Sequence, residues 1–204
     1  YVHSALDHDF KEYLGEESQR QYIETQFLST PPHEFDEPNK ATTATTREPM
    51  DKFCDRIFKD NNPNERVYMV LAGSGMGKTT FMVNVFCHYV KQNMTRKGMN
   101  LDIRLLRLDD EKVLDDIKKI SEDESIKPEK TILLLDALDE NRYASENFVE
   151  FKRKLEDVME PFGLVMITCR DQFFDNEKSI PTSTSWVSVT KDKNLISYNK
   201  IYIS

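Results

Sequence analysis

The chain has 204 residues, which suits one α/β domain with a small extension and allows a sizeable buried core. Its 36 acidic and 28 basic residues give a formal charge of −8, which argues against a broad phosphate-tracking surface for direct nucleic-acid binding. Neither a signal peptide nor an apolar stretch near the ~18 residues of a membrane span is visible, so we expect no membrane insertion.

The first 48 residues predict an N-terminal extension and linker. Apolar residues in 1–30 recur at partly helical spacing, which indicates a helix or an extended segment packed on the domain. The stretch 30–49 is rich in proline and has no regular period, which is typical of a long loop. The first residue is Tyr1 rather than Met, which indicates a fragment or a processed protein. We assign residues 1–48 to the extension and residues 49–204 to the core.

From Pro49 onward, helical and strand patterns alternate. Helical periodicity predicts helices over 50–58, from residue 81 onward, over 111–120 and over 146–159. Apolar runs predict strands over 67–71, 101–108, 131–136 and 164–167, with a last short strand over 200–203. This alternation predicts an α/β fold in which helices cover both faces of a parallel sheet, a three-layer αβα arrangement.

The segment between the strand at 67–71 and the following helix reads Ala-Gly-Ser-Gly-Met-Gly-Lys-Thr-Thr. Closely spaced glycines at a strand-to-helix turn let successive N–H groups point at one anion, and the helix N-terminus adds partial positive charge. The pattern predicts a phosphate-binding loop, in which Lys78 neutralises the β- and γ-phosphates and Thr79 offers a hydroxyl to Mg²⁺. The strict pattern begins with Gly, where this chain has the small residue Ala72. The residues predicted to hold the nucleotide are Gly73, Ser74, Gly75, Met76, Gly77, Lys78, Thr79 and Thr80.

A second motif ends the apolar strand at 131–136. Asp136 is its last residue, and the acidic pair Asp139-Glu140 comes three and four residues later. Ligands bind at the carboxyl ends of the strands in open α/β sheets, so we expect Asp136 to lie beside the phosphate loop. There it would hold Mg²⁺ directly or through water.

The Asp-Ala-Leu-Asp-Glu spacing at 136–140 resembles the NACHT family of signal-transducing ATPases, within the STAND class of P-loop NTPases. A third motif agrees, because the apolar strand at 164–167 runs into Thr-Cys-Arg at 168–170, which is similar to the family's Thr-Ser-Arg sensor. Cys169 occupies the position at which the family's motif usually has Ser, and we assign it no chemical role. The resemblance covers roughly residues 50–204, and its three motifs follow the family's order.

This resemblance implies an ATP-binding and slowly hydrolysing domain with ATP or ADP as its nucleotide and Mg²⁺ as its metal ion. Glu140, with Asp139 beside it, would orient and deprotonate the attacking water, and Arg170 would read the γ-phosphate. The family's nucleotide cycle controls self-assembly, so we expect a homo-oligomer of the full-length protein, with helical and winged-helix parts after the core. Defence signalling in innate immunity is common among relatives.

The family's adenine pocket commonly uses the segment ahead of the phosphate loop. Tyr22 and Ile23 are candidates for that contact here, and the favoured alternative is that they only pack against the domain.

Two other classes of function stay open. A motor ATPase that acts on nucleic acid would share the phosphate loop, but the acidic balance and the lack of a basic and aromatic stripe count against it. A small-molecule kinase would need an acceptor-binding motif or an arginine-rich lid, and we find neither. Arg104 and Arg107 interrupt the strand at 101–108, and we expect surface salt bridges rather than catalysis from them.

The cysteines and histidines indicate neither a disulfide framework nor a metal site. Cys54, Cys87 and Cys169 are odd in number and have no C-x-x-C spacing, which is typical of reduced thiols in a cytoplasmic protein. The histidines have no metal-ligand spacing among themselves, and we expect a packing or surface role for His88 in its helix.

Overall fold

The structure is a computed structural model that describes Phe10 and residues 26–28, 47–59, 65–95, 102–174, 187–189 and 195–203. The predicted adenine contacts Tyr22 and Ile23 lie outside these residues. Among the helices of the described ranges, none combines the length and apolar character needed to cross a membrane.

Strands and helices alternate through the described core. The strands are β1 (Gln26–Leu28), β2 (Arg47–Pro49), β3 (Val67–Ala72), β4 (Asp102–Arg107), β5 (Thr131–Asp136), β6 (Leu164–Arg170), β7 (Val187–Val189) and β8 (Leu195–Ile203). The α-helices are α1 (Met50–Lys59), α2 (Lys78–Thr95), α3 (Val113–Glu122), α4 (Arg142–Glu146) and α5 (Phe148–Met159). Short 3₁₀ turns at Leu138–Glu140 and Asp171–Phe173 directly follow β5 and β6.

Five strands form a parallel sheet in the order β8-β3-β6-β5-β4. β1 pairs antiparallel with β8, β2 pairs antiparallel with β1, and β7 also pairs antiparallel with β8. Strand β6 lies between β3, which leads into the glycine loop, and β5, which ends in Asp136. The carboxyl end of β6 is therefore the neighbour of both predicted motifs.

Helices cover both faces of the sheet. Successive strand residues point to opposite faces, so in β3 Tyr68 belongs to one hydrophobic cluster and Met69 to the other. The first cluster packs α1 and α2 on the sheet, and the ring of Phe53 meets that of Tyr68 edge to face at 5.5 Å. The second cluster packs α3 and α5 on the opposite face, with Phe151 of α5 fully buried. The predicted α/β fold, a parallel sheet with helices on both faces in a three-layer αβα arrangement, is confirmed.

The helix predicted over 146–159 is confirmed as α5, although it begins two residues later, at Phe148. Asn147 has φ −148°, which ends α4, and its side chain accepts the N–H of Glu150 at 3.4 Å to cap α5. Asn141 caps α4 in the same way, accepting the N–H of Ala144 at 2.8 Å. Asparagine at both positions favours a helix start over a continuous helix, because its side chain satisfies an otherwise unpaired N–H group.

The described parts of both chain ends join the sheet. Residues 26–28 and 47–48 lie within the predicted extension and linker, yet they form β1 and, together with Pro49, β2 at the β8 side of the sheet. The predicted strand over 200–203 is too short, because β8 begins at Leu195 and pairs in parallel with β3 from Tyr198 onward. The boundary between extension and core stays a prediction.

Candidate functional site

The loop between β3 and α2 depends on two glycines with positive φ. Gly75 has φ 75° and Gly77 has φ 74°, a region in which any side chain would strain the backbone. The carbonyl of Gly77 accepts the N–H of Phe81 at 2.8 Å, so α2 begins at Lys78. The N–H groups of residues 78–80 then have no carbonyl one turn earlier in the helix, and they point out of its N-terminus. This geometry fits a phosphate cradle.

Lys78 lies in the first turn of α2 and folds back over the loop. Its Nζ donates to the carbonyl oxygen of Gly73 at 3.2 Å and lies 3.5 Å from that of Ala72. Within the described part of the chain, no carboxylate forms an ion pair with this ammonium group. An ammonium group that contacts two neutral carbonyls is available to an anion in the loop.

Thr79 and Asp136 join the loop to the carboxylate strand. The Thr79 hydroxyl donates to Asp136 Oδ2 at 2.7 Å, although 57 residues separate them in the chain. Asp136 is buried, and its Oδ1 accepts a second hydrogen bond at 2.5 Å from the hydroxyl of Thr168, which is also buried. A hydroxyl and a carboxylate side by side are the oxygen ligands that Mg²⁺ takes when substrate phosphates and water complete its coordination. The residues present therefore fit the predicted metal.

Asp139 holds Arg170 at the end of β6. Its Oδ1 accepts the backbone N–H of Arg170 at 2.9 Å. Its Oδ2 lies 2.8 Å from Nε of the same arginine, an ion pair in which the N–H bond does not point at the oxygen. The Asp139 side chain is only 6% exposed, and both of its oxygens face Arg170. Asp139 is thus placed to position the arginine rather than to meet a water molecule.

Glu140 lies between two arginines. Its Oε1 accepts from Arg170 Nη2 at 3.4 Å, and its Oε2 accepts from Arg107 Nη2 at 3.2 Å. The Glu140 side chain is 44% exposed and lines a cleft of about 590 Å³ that Asp115 and Tyr143 also line. Of the two predicted acidic residues, Glu140 is the one that water can reach.

Sequence reasoning missed part of what Arg107 does. The predicted surface salt bridge exists, because Arg107 binds both oxygens of Asp109 at 2.9 Å, and this hydrogen bonding raises the pKa of Arg107. The contact with Glu140 was not foreseen. The signal that could have revealed it is position: Arg107 is the last residue of β4, in register with Asp136 at the end of β5. Arg104, by contrast, forms a local ion pair with Asp102 at 2.7 Å.

Cys169 is buried beside the predicted site residues. Burial raises the pKa of its thiol well above the usual value, and the charge of Asp139 adds to this, while Lys78 opposes it. A thiol kept protonated is a poor nucleophile. The expectation that Cys169 has no chemistry fits this setting.

Five of the predicted residues form two groups at one edge of the sheet, and the members of each group are joined by hydrogen bonds or ion pairs. The pair Thr79–Asp136 joins α2 to β5, and the group Arg170–Asp139–Glu140 joins the end of β6 to the turn after β5. Among the described residues, no cluster of three or more His, Cys, Asp or Glu side chains could hold a metal ion by itself. The Mg²⁺ site predicted here requires phosphate and water ligands in addition.

Comparison with known proteins gives little further information. No protein-family model matches the chain, and no curated protein matches it. Among solved structures, it is similar to the structure of C. elegans PCH-2, with a TM-score of 0.37 and 14% sequence identity. The match covers 74% of this chain and 40% of that chain. A similarity at this level indicates neither family nor function.

Proposed function

We propose that this chain is the ATP-binding and slowly hydrolysing core of a nucleotide-controlled switch of the NACHT type. The observation that carries the nucleotide-binding part is the 2.7 Å hydrogen bond between Thr79 Oγ1 and Asp136 Oδ2. It brings the first turn of the helix after a glycine loop against the last residue of a buried strand. A cation bound to phosphates in the loop would find both oxygens within reach.

Each residue has a defined task in this proposal. The N–H groups of residues 73–78 and the ammonium of Lys78 bind phosphate oxygens, while Thr79 and Asp136 hold Mg²⁺ directly or through water. Bound Mg²⁺·ATP would supply the phosphoanhydride bond that is cleaved, with its charge partly neutralised by the metal. Glu140 orients a water molecule from the adjoining cleft and takes its proton at a carboxylate oxygen.

The choice of a switch over a motor or a kinase has two supports. The three motifs resemble the NACHT pattern in order and spacing, and Arg170, the proposed γ-phosphate sensor, lies in contact with both Asp139 and Glu140. The acidic balance of 36 acidic to 28 basic residues also disfavours a nucleic-acid motor. Homo-oligomerisation of the full-length protein and a setting in defence signalling belong to the same proposal.

We expect the 204-residue chain to bind nucleotide, stay mostly monomeric and turn over ATP slowly. The resemblance implies that a neighbouring subunit completes the active assembly, so turnover should fall far below the ~1–100 s⁻¹ of kinases. Light scattering and phosphate release would be measured on one sample, with and without Mg²⁺·ATP. Fast turnover by a monomer would favour a self-sufficient enzyme, stimulation by DNA or RNA a motor, and transfer to an added acceptor a kinase.

Arg170 should distinguish ATP from ADP. A side chain that contacts only the γ-phosphate cannot contribute to diphosphate binding, so Arg170→Ala should spare the affinity for ADP. The affinity for a non-hydrolysable ATP analogue should fall about 10-fold, as expected for one partly exposed charge-assisted hydrogen bond. Calorimetric titration measures both constants, with Arg153→Ala, an exposed arginine on α5 that pairs with Asp157, as the control. Equal losses for both nucleotides would assign Arg170 to structure or to the β-phosphate.

A further inference from the structure

Thr168 is a buried hydroxyl at the end of β6 with two well-defined partners. Its Oγ1 donates to Asp136 Oδ1 at 2.5 Å and accepts the backbone N–H of Ala137 at 2.9 Å. Both Thr168 and Asp136 are almost fully buried. A side-chain hydroxyl has one proton to give and lone pairs to accept, so these two contacts use both of its capacities.

The contact with Asp136 fixes the direction of the carboxylate. Oδ1 is held by Thr168 from β6, and Oδ2 is held by Thr79 from α2 at 2.7 Å. With a hydroxyl on each oxygen, the carboxylate plane has one orientation. If only Thr79 contacted it, the group could rotate about its Cβ–Cγ bond, because that torsion has a broad energy minimum.

The contact with Ala137 fixes the turn that carries the second acidic pair. Ala137 has φ 63° and ψ 51°, a left-handed conformation that is unfavourable for a residue with a side chain. Its N–H is held by Thr168, and its carbonyl accepts the N–H of Glu140 at 3.1 Å. The left-handed residue directs the chain from the end of β5 into the 3₁₀ turn Leu138–Glu140. Thr168 therefore supports both Asp136 and the turn that presents Glu140.

We propose that Thr168 is a positioning residue that sets the Mg²⁺-binding direction of Asp136 and the placement of Glu140 through one hydroxyl. The inference rests on the proposed function and goes beyond it, because it gives a second residue at the end of β6 a role that is separate from that of Arg170. β6 lies between β3 and β5, so a side chain at its end is well placed to contact Asp136. The chemical requirement is a hydroxyl that donates and accepts, which Ser retains and Val lacks.

The competing explanation is that Thr168 only packs in a buried strand. Threonine suits strands because it is β-branched, and valine has nearly the same shape. If packing were the whole role, Thr168→Val would behave as the native chain does, and Thr168→Ser would be the more harmful change. The positioning role predicts the reverse order.

The test measures ADP binding by calorimetry in excess EDTA and in MgCl₂, so that hydrolysis does not contribute. Lys78→Ala and Asp136→Ala serve as references for the loss of phosphate and of Mg²⁺ contacts. We expect Thr168→Val to bind ADP in EDTA with the affinity of the native chain. In MgCl₂ its affinity for ADP should be about 10-fold lower than that of the native chain, as for the loss of one hydrogen bond to a charged group. Thr168→Ser should retain the full increase in ADP affinity that Mg²⁺ gives the native chain. Hydrogen exchange at the Ala137 amide, measured without nucleotide, should be faster in Thr168→Val than in Thr168→Ser.

The outcomes separate this inference from the proposed function. If the native chain bound ADP with no dependence on Mg²⁺ or on Lys78, the proposed function would fail, and the inference with it. If the native chain showed both dependences and Thr168→Val kept the full Mg²⁺ gain, only the inference would be overturned. Thr168→Ala removes the same hydroxyl without steric demand and replaces Thr168→Val if that variant does not fold. Loss of the fold in both variants, or equal loss of affinity with and without Mg²⁺, would overturn the positioning role.

Discussion

Replacement of Lys78 by alanine should lower the affinity for both ATP and ADP by at least ~30-fold, which corresponds to about 2 kcal/mol. The ammonium group neutralises phosphate charge that water would otherwise solvate, and it does so for either nucleotide because the β-phosphate is common to both. Among the described residues, Lys78 Nζ contacts the carbonyl oxygens of Gly73 at 3.2 Å and Ala72 at 3.5 Å and forms no ion pair with a carboxylate. We therefore expect the fold to survive.

The measurement is calorimetric titration, with thermal unfolding of each variant as a check on the fold. Lys91→Ala is a matched control, because Lys91 lies on the same helix, is exposed, and is far along the chain from the loop. It should leave both affinities unchanged. Native nucleotide binding by a folded Lys78→Ala protein would contradict the assignment of residues 72–80 as a phosphate loop.

Replacement of Glu140 by glutamine should keep nucleotide binding and lower hydrolysis by about 10²- to 10⁴-fold. The amide can still hydrogen-bond to water and to the arginines, but it cannot take a proton. Glu140 is 44% exposed beside the cleft, whereas the Asp139 side chain is 6% exposed and faces Arg170. For this reason we expect the loss of the proton acceptor at Glu140, and not at Asp139, to abolish turnover while leaving affinity intact.

Two variants sharpen this result, both followed by phosphate release and nucleotide titration. Glu146→Gln removes one negative charge from the wall of the same cleft, where Glu146 pairs with Arg142, and it should hydrolyse ATP at the native rate. Asp139→Asn should instead weaken the hold on Arg170, and with it the preference for ATP over ADP. Turnover by Glu140→Gln at the native rate would move the base to Asp139 or to a residue of a second subunit.

Much of the site could be predicted because its signals are local. A glycine loop between a strand and a helix, with lysine and threonine at the start of the helix, is a property of consecutive residues. The positive φ values at Gly75 and Gly77 and the start of α2 at Lys78 agree with that pattern. Asp136 was placed at the loop because the carboxyl ends of parallel strands meet at one edge, and its 2.7 Å contact with Thr79 agrees.

Other features were not predictable from periodicity. The short helix α4 was missed because five residues are too few to show a helical period, and α5 was predicted to start two residues early because the side-chain cap of Asn147 sets its first residue. β1 and β2 were missed because each has only three residues, too few to show an alternating pattern. The contact between Arg107 and Glu140 was missed because the two residues are far apart in the chain: Arg107 ends β4, whereas Glu140 lies in the turn after β5.

The sequence by itself determined which residues are predicted to bind phosphate and metal, because those residues lie within two short segments that are recognised from consecutive residue types. Only the tertiary structure decided what lies between those segments. The order of strands places β6 between β3 and β5, so the hydroxyl of Thr168 reaches Asp136 at 2.5 Å and Arg170 reaches both Asp139 and Glu140. Strand order depends on how helices and strands of the whole chain pack together, and no single segment carries that information.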